Sequence, residues 1–168
     1  MKTLKGFILI LSLTFAVALG ASAQTRLTSI DGTGVDVEGQ SGKVIVLAIG
    51  ASWLPLSDKQ AEFTNLLAKK YAGKNVVIYF VATDSANSKS KNFATNDSIR
   101  KFAADNRLGV TILRDSDGAA TLKKFDVEQV PSFVILDKNG ARVGEPFGGI
   151  DPKYDVTVAI SKVIDRLL

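Results

Sequence analysis

Chemistry in a chain needs side chains that ionise, attack or coordinate, and a few stretches of this sequence hold them at suggestive spacing. Ser57 is followed by Asp58 and Lys59 within IGASWLPLSDKQ, residues 49–60. Ser88-Lys89-Ser90-Lys91 spells the Ser-x-x-Lys of serine–lysine hydrolases. Asp115-Ser116-Asp117-Gly118 follows part of a calcium loop, residues 39–43 part of a phosphate loop, and Asn96-Asp97-Ser98 a glycosylation acceptor. Each fails on its own terms. A nucleophilic Ser57 needs a base in reach, and the side chains of Asp58 and Lys59 project around the helix away from it. Lys91 lies in a polar loop, where an amine stays hydrated and protonated. The calcium pattern has Leu113 at its first ligand place and Lys124 at its twelfth, so it reads as a turn capping the next helix. The phosphate pattern has Val37 where its first glycine belongs. The glycosylation acceptor carries no weight behind a bacterial-looking leader.

Cysteine and histidine are both absent from the 168 residues. That removes thiol redox chemistry, cysteine nucleophiles, Cys/His zinc sites and Ser-His-Asp triads together. No catalytic residue, metal or cofactor is expected. An exported chain of this size can still fold without disulfides.

Residues 1–23 read as a secretory signal peptide. Lys2 and Lys5 begin it, an apolar run from Phe7 to Leu19 follows, and Ala21-Ser22-Ala23 supplies a small-x-small cleavage site before Gln24. The alternative is a retained anchor, for which the apolar run is short. The leader takes two of the 21 basic residues and none of the 17 acidic ones, leaving a net charge of +2 on residues 24–168. Pairs such as Lys69-Lys70 and Lys123-Lys124 suit helix ends, where cations complement the dipole, so no nucleic-acid partner is expected.

The elements that position IGASWLPLSDKQ are legible around it. Residues 25–42 form a hairpin-like lead-in around Asp31-Gly32. Residues 44–49 and 76–81 are unbroken apolar runs, the signature of strands covered on both faces. Between them Phe63, Leu66, Leu67 and Tyr71 mark one face of a helix, with Pro55 in its first turn and Gly73 at its end. A crossover of this length makes the two strands parallel. A second helix carries Ile99, Phe102 and Ala103, and a third strand runs over 110–113. A short helix over 118–125 turns Leu122 and Phe125 inward. Residues 133–136 form a strand, and Lys138-Asn139-Gly140 turns it into a return strand over 141–143. Asp151-Pro152 starts a last helix with Val156, Ile160, Val163, Ile164 and Leu167 inside. The fold class is an α/β three-layer sandwich, a mixed central sheet with helices on both faces, in one domain over 24–168.

Three segments then resemble a known family. GKVIVLAIGASWLPLS is similar to the strand and Trp-Cys-Pro-x-Cys loop of thioredoxin-like proteins. VEQVPSFVILDKNG is similar to their proline step before a strand and hairpin, and YFVATDSANSK fits a strand ending in an acidic loop. With the leader, the chain resembles exported TlpA/ResA-type thiol–disulfide oxidoreductases and the wider redoxin group, from about residue 27 to 168. It departs at the centre. Leu54 stands where the attacking cysteine belongs and Ser57 where the resolving one belongs, and neither can exchange a disulfide. The resemblance implies a cis Pro131 and a Val130 backbone that pairs with an extended chain by strand addition. Asp84, at an acidic place near the family's thiols, is left with loop capping.

The resulting expectation is a redox-inactive thioredoxin-fold protein of the bacterial envelope, periplasmic or secreted. It holds a peptide or protein partner on Trp53, Leu54, Pro55, Leu56, Ser57, Val130 and Pro131, with no membrane insertion once the leader is cut. Two alternatives stand beside it. One is a divergent oxidoreductase-type role that does not use thiols of its own; the other is a structural accessory in which Leu54 and Trp53 merely fill space.

Overall fold

The computed structural model describes residues 24–168, so the leader read over residues 1–23 lies outside the described residues. Strands β3 (Val44–Gly50) and β4 (Val76–Ala82) run parallel in register from Val44↔Val76 to Gly50↔Ala82. Every residue of β3 is buried, which is why its sequence is apolar at each position instead of alternating. β5 (Thr111–Arg114) joins parallel to β4, and β6 (Ser132–Leu136) joins antiparallel to β3. A hairpin of β1 (Arg26–Ser29) and β2 (Gly34–Asp36) completes one side and β7 (Phe147–Gly148) the other. The order is β2-β1-β5-β4-β3-β6-β7, the mixed sheet expected.

Helices α1 (Ser57–Lys70), α2 (Asn96–Asp105) and α3 (Val156–Leu167) pack on one face. Phe63, Leu67, Ile99, Phe102, Ile160 and Ile164 meet Val46, Ala48, Phe80 and Phe133 there. On the other face Ile45, Leu47, Val81, Leu113 and Val134 are covered by Leu27, Val37, Phe125 and Val127. The alternation of strand side chains splits the molecule into these two cores. Tyr71 closes α1 onto α3 by donating its hydroxyl to Asp165 Oδ1 at 2.8 Å.

Several local expectations are corrected. Residues 118–125 are not a regular helix: a single 3₁₀ turn, Ser116–Gly118, leads into successive turns. Asp117, Gly118 and Asp126 all hold positive φ, which regular helix cannot contain. Leu122 and Phe125 still pack inward, and Asp115 caps the segment by accepting from the N–H groups of Ala120 and Thr121. The return after Gly140 makes one bridge, Leu136↔Arg142, and regular pairing waits until β7. Pro55 precedes α1, whose N-cap is Leu56. Leu66 lies on the outer side of α1. α3 starts after Asp155, which caps it through Thr157 N–H, and Asp151-Pro152 forms a separate turn.

Glu38 fastens the lead-in to the second face. It accepts from Thr25 N–H at 2.6 Å and pairs with the Lys124 ammonium. Burial pushes its carboxyl up, but the Lys124 and Thr25 hydrogen bonds outweigh this and hold it below the ordinary 4.5. Because the folded carboxyl titrates lower than the unfolded one, its stabilisation is full above about 4.5 and fades as pH falls through the folded value. Glu38→Gln is therefore expected to cost roughly 1 kcal/mol near neutrality. In urea titrations the difference from wild type should shrink below about pH 4; a difference independent of pH would refute the assignment.

Candidate functional site

The sheet register brings the two proline-containing loops together. Ile49 pairs with Ser132, so the chain leaves β3 into residues 51–56 at the same end of the sheet where it enters β6 from Val130–Pro131. This is the carboxyl end of the parallel strands, where open α/β sheets place their ligand sites. The Val130–Pro131 peptide is cis.

Two buried polar side chains and a half-buried arginine fix this end. Asp84, fully buried at the end of β4, accepts from Ser52 N–H at 3.1 and 3.0 Å and from Ser52 Oγ at 2.5 Å. That is loop capping, as its place implied. Gln60, also fully buried on α1, donates through Nε2 to the carbonyls of Ile49 (3.0 Å) and Ser132 (2.9 Å), tying β3 to β6 beneath the loops. Arg114 donates to the Ser85 and Ala94 carbonyls at 3.0 and 2.7 Å, holding the loop after β4 closed. Gln60 and Arg114 were not singled out in the sequence. Gln60 could have been, since it falls three residues before Phe63 and seven before Leu67 on the stripe α1 turns inward.

The residues expected to form the site fall into two groups. Trp53 is 52% exposed, Pro55 is exposed, and Leu54 and Leu56 are half-buried. Leu56 rests on the core beneath α1. Val130 is half-buried and Pro131 buried. Neither backbone group of Val130 has a hydrogen-bond partner among the described residues. Ser57 differs from the rest: it is buried, and its hydroxyl donates to the Ala51 carbonyl, so it turns the loop into α1 instead of facing solvent. Among the described residues that hydroxyl makes no hydrogen bond to a side chain that could act as its base. Ser88 and Lys91 are exposed. Among the described residues no group of His, Cys, Asp or Glu is arranged to hold a metal ion, and no described helix is long and apolar enough to cross a membrane.

The sequence matches the Redoxin family model over residues 18–159, a span that includes both loops and every described strand. The chain belongs to the Redoxin family. Its fold is thioredoxin-like, as superposition on solved structures shows. A protein assigned as thiol:disulfide interchange protein DsbE of Chlorobium tepidum superposes with a TM-score of 0.69 at 22% identity, over 86% of this chain and 92% of that one. The exposed lipoprotein thioredoxin Etrx1 of Streptococcus pneumoniae gives 0.66 at 22%, over 86% and 100%. A secreted disulfide oxidoreductase of Mycobacterium tuberculosis, homologous to E. coli DsbE, gives 0.60 at 23%, over 82% and 96%. No curated protein matches the chain in sequence. This redoxin thus keeps a thioredoxin-like loop–helix–proline arrangement in a chain that has no cysteine.

Proposed function

We propose that this redoxin acts by binding, not by exchanging disulfides: it holds an extended peptide or protein segment beside Val130–Pro131, outside the cytoplasm. One observation carries the reading. The N–H and C=O of Val130, without a partner among the described residues, adjoin a loop whose Trp53 and Pro55 are exposed, so a strand-like segment gains main-chain hydrogen bonds and apolar contact in one place. With no sulfur nucleophile the site has nothing that reacts with such a segment. The apolar leader read over residues 1–23 supports the extracytoplasmic setting.

The test is titration with a dansyl-labelled peptide of alternating valine and threonine. Leu54→Asp puts a charge in the apolar loop and Val130→Pro removes the N–H donor. The double variant, if its melting curve stays cooperative, is expected to bind at least about tenfold more weakly. Equal affinity would end the proposal. A second reading is favoured by family membership alone: an oxidoreductase-type role using a partner's thiols. Insulin reduction that exceeds the rate of a dithiol-bearing partner alone when this protein is added to it, the partner's dithiol being oxidised to a disulfide, would select it.

A further inference from the structure

Next to Pro131 a cavity of about 520 Å³ is lined by Asp126, Glu128, Gln129, Ser132, Glu145 and Gly148. Three of these are carboxylates. Arg142 answers two of them, Asp126 Oδ2 at 3.7 Å and Glu145 Oε2 at 3.3 Å, while Glu128 makes no ion pair among the described residues. Among the described residues, ion pairing with Arg142 leaves a net two negative charges on these three carboxylates. The second observation is independent of the first. Ser132 is fully buried, yet its hydroxyl has no hydrogen-bond partner among the described residues. Along β6 it shares a face with Val134 and Leu136, which pack with Phe125 and Val127, so the hydroxyl points to the side where residues 126–129 run. A buried orphan hydroxyl in a cavity wall is costly unless something enters to meet it. Gln129 lies flat over the Gly148-Gly149 pair, where an added Cβ would stand 3.0 Å from its Cγ and 2.6 Å from its Nε2 respectively. Those glycines keep the wall open beside the edge strand.

We infer that this cavity takes a lysine or arginine side chain of the extended segment bound at Val130, so that the partner is basic. This rests on the peptide-binding reading above. The carboxylates are not arranged to hold a metal ion, but they can surround a larger cation. An ammonium or guanidinium supplies both the missing charge and donors for the Ser132 oxygen, which an aliphatic side chain does not and a glutamate opposes. Ser132 follows Val130 by two residues in the chain, so the cavity adjoins the backbone proposed to pair with the peptide. The basic side chain accordingly belongs near the peptide residue that pairs with Val130.

Three versions of the valine–threonine peptide, with one central Lys, Ala or Glu, test this against the wild-type protein and the isosteric Glu128→Gln/Glu145→Gln variant. The wild type is expected to bind the Lys peptide about tenfold more tightly than the Ala peptide and to bind the Glu peptide most weakly. In the variant the Lys-to-Ala preference falls below about twofold. Should the variant fail to fold, the wild type still decides. Its Lys-over-Ala preference must shrink between about 0.05 and about 0.5 M salt, and a preference indifferent to salt overturns the inference. Equal binding of all three peptides overturns the basic preference and leaves the groove standing. Binding of none of them overturns both. A preference unchanged in the folded variant removes this cavity as its source.

Discussion

Gln60→Ala lowers the unfolding free energy by about 3 kcal/mol, measured by urea titration. The side chain is fully buried, and its Nε2 donates to two carbonyls on two different strands. Truncation leaves both acceptors without this donor and adds a void, and each loss has its own cost. The same geometry makes a sharper statement about Gly50. A Cβ there would stand 2.1 Å from Gln60 Oε1, so Gly50→Ala alone has to push the amide off its carbonyls. That single change is expected to cost about as much as Gln60→Ala. Added to Gln60→Ala, it should cost less than about 1 kcal/mol more, because the obstruction has gone. Additive losses in the double-mutant cycle would show that Gln60 does not tie the two strands together at Gly50.

Leu54→Cys/Ser57→Cys creates disulfide exchange where none exists. Position 54 is half-buried at the loop surface and position 57 is buried in the first turn of α1, the asymmetry an attacking and a resolving sulfur require. α1 has no side-chain cap of its own, since Leu56 offers no acceptor, so its first N–H groups and its dipole are available to an anion. The new thiol at 54 should titrate below the ordinary value of about 8.5, within the range of about 3.5–7.5 found for such sites. The pair should equilibrate with glutathione between about −270 and −120 mV. Insulin turbidity then rises from background to a clear rate, and either single variant stays inert. A folded double variant whose cysteines never pair would contradict the alignment of Leu54 and Ser57 with the family's thiols.

The parts of the fold readable in the sequence are those where one physical demand dominates. β3 and β4 are buried along their length, so their residues could only be apolar, and their separation by a 14-residue α1 required a parallel crossover. The parts that differed are those where two similar signals compete. Asp151 and Asp155 each accept from the N–H two residues on, at 2.9 Å, but only Asp155 is followed by the inward stripe of α3. After Gly140 the turn forms as its Asn-Gly suggests. Gly144, at φ 70°, and Pro146 then interrupt the ladder, which resumes only at Phe147. Leu66 fits the helical spacing of a core residue yet faces out, because periodicity does not say where a stripe's edge falls. At the site, the two loops were legible from their prolines. The carboxylates beside Pro131 were not, because Glu145 comes from a distant stretch and the charge of Asp126 and Glu128 is ordinary for a surface segment.

The account depends on Trp53, Leu54 and Val130 forming a surface that is used for contact. Trp53 is the only tryptophan in the chain and is half-exposed in the loop, so its emission reports that surface alone. On titration with the extended Lys-bearing peptide the emission should move to the blue and saturate, with the shift abolished in the Leu54→Asp/Val130→Pro variant. An emission spectrum that stays unmoved while a calorimeter registers peptide binding would place the contact elsewhere, and no binding by either method would remove it altogether.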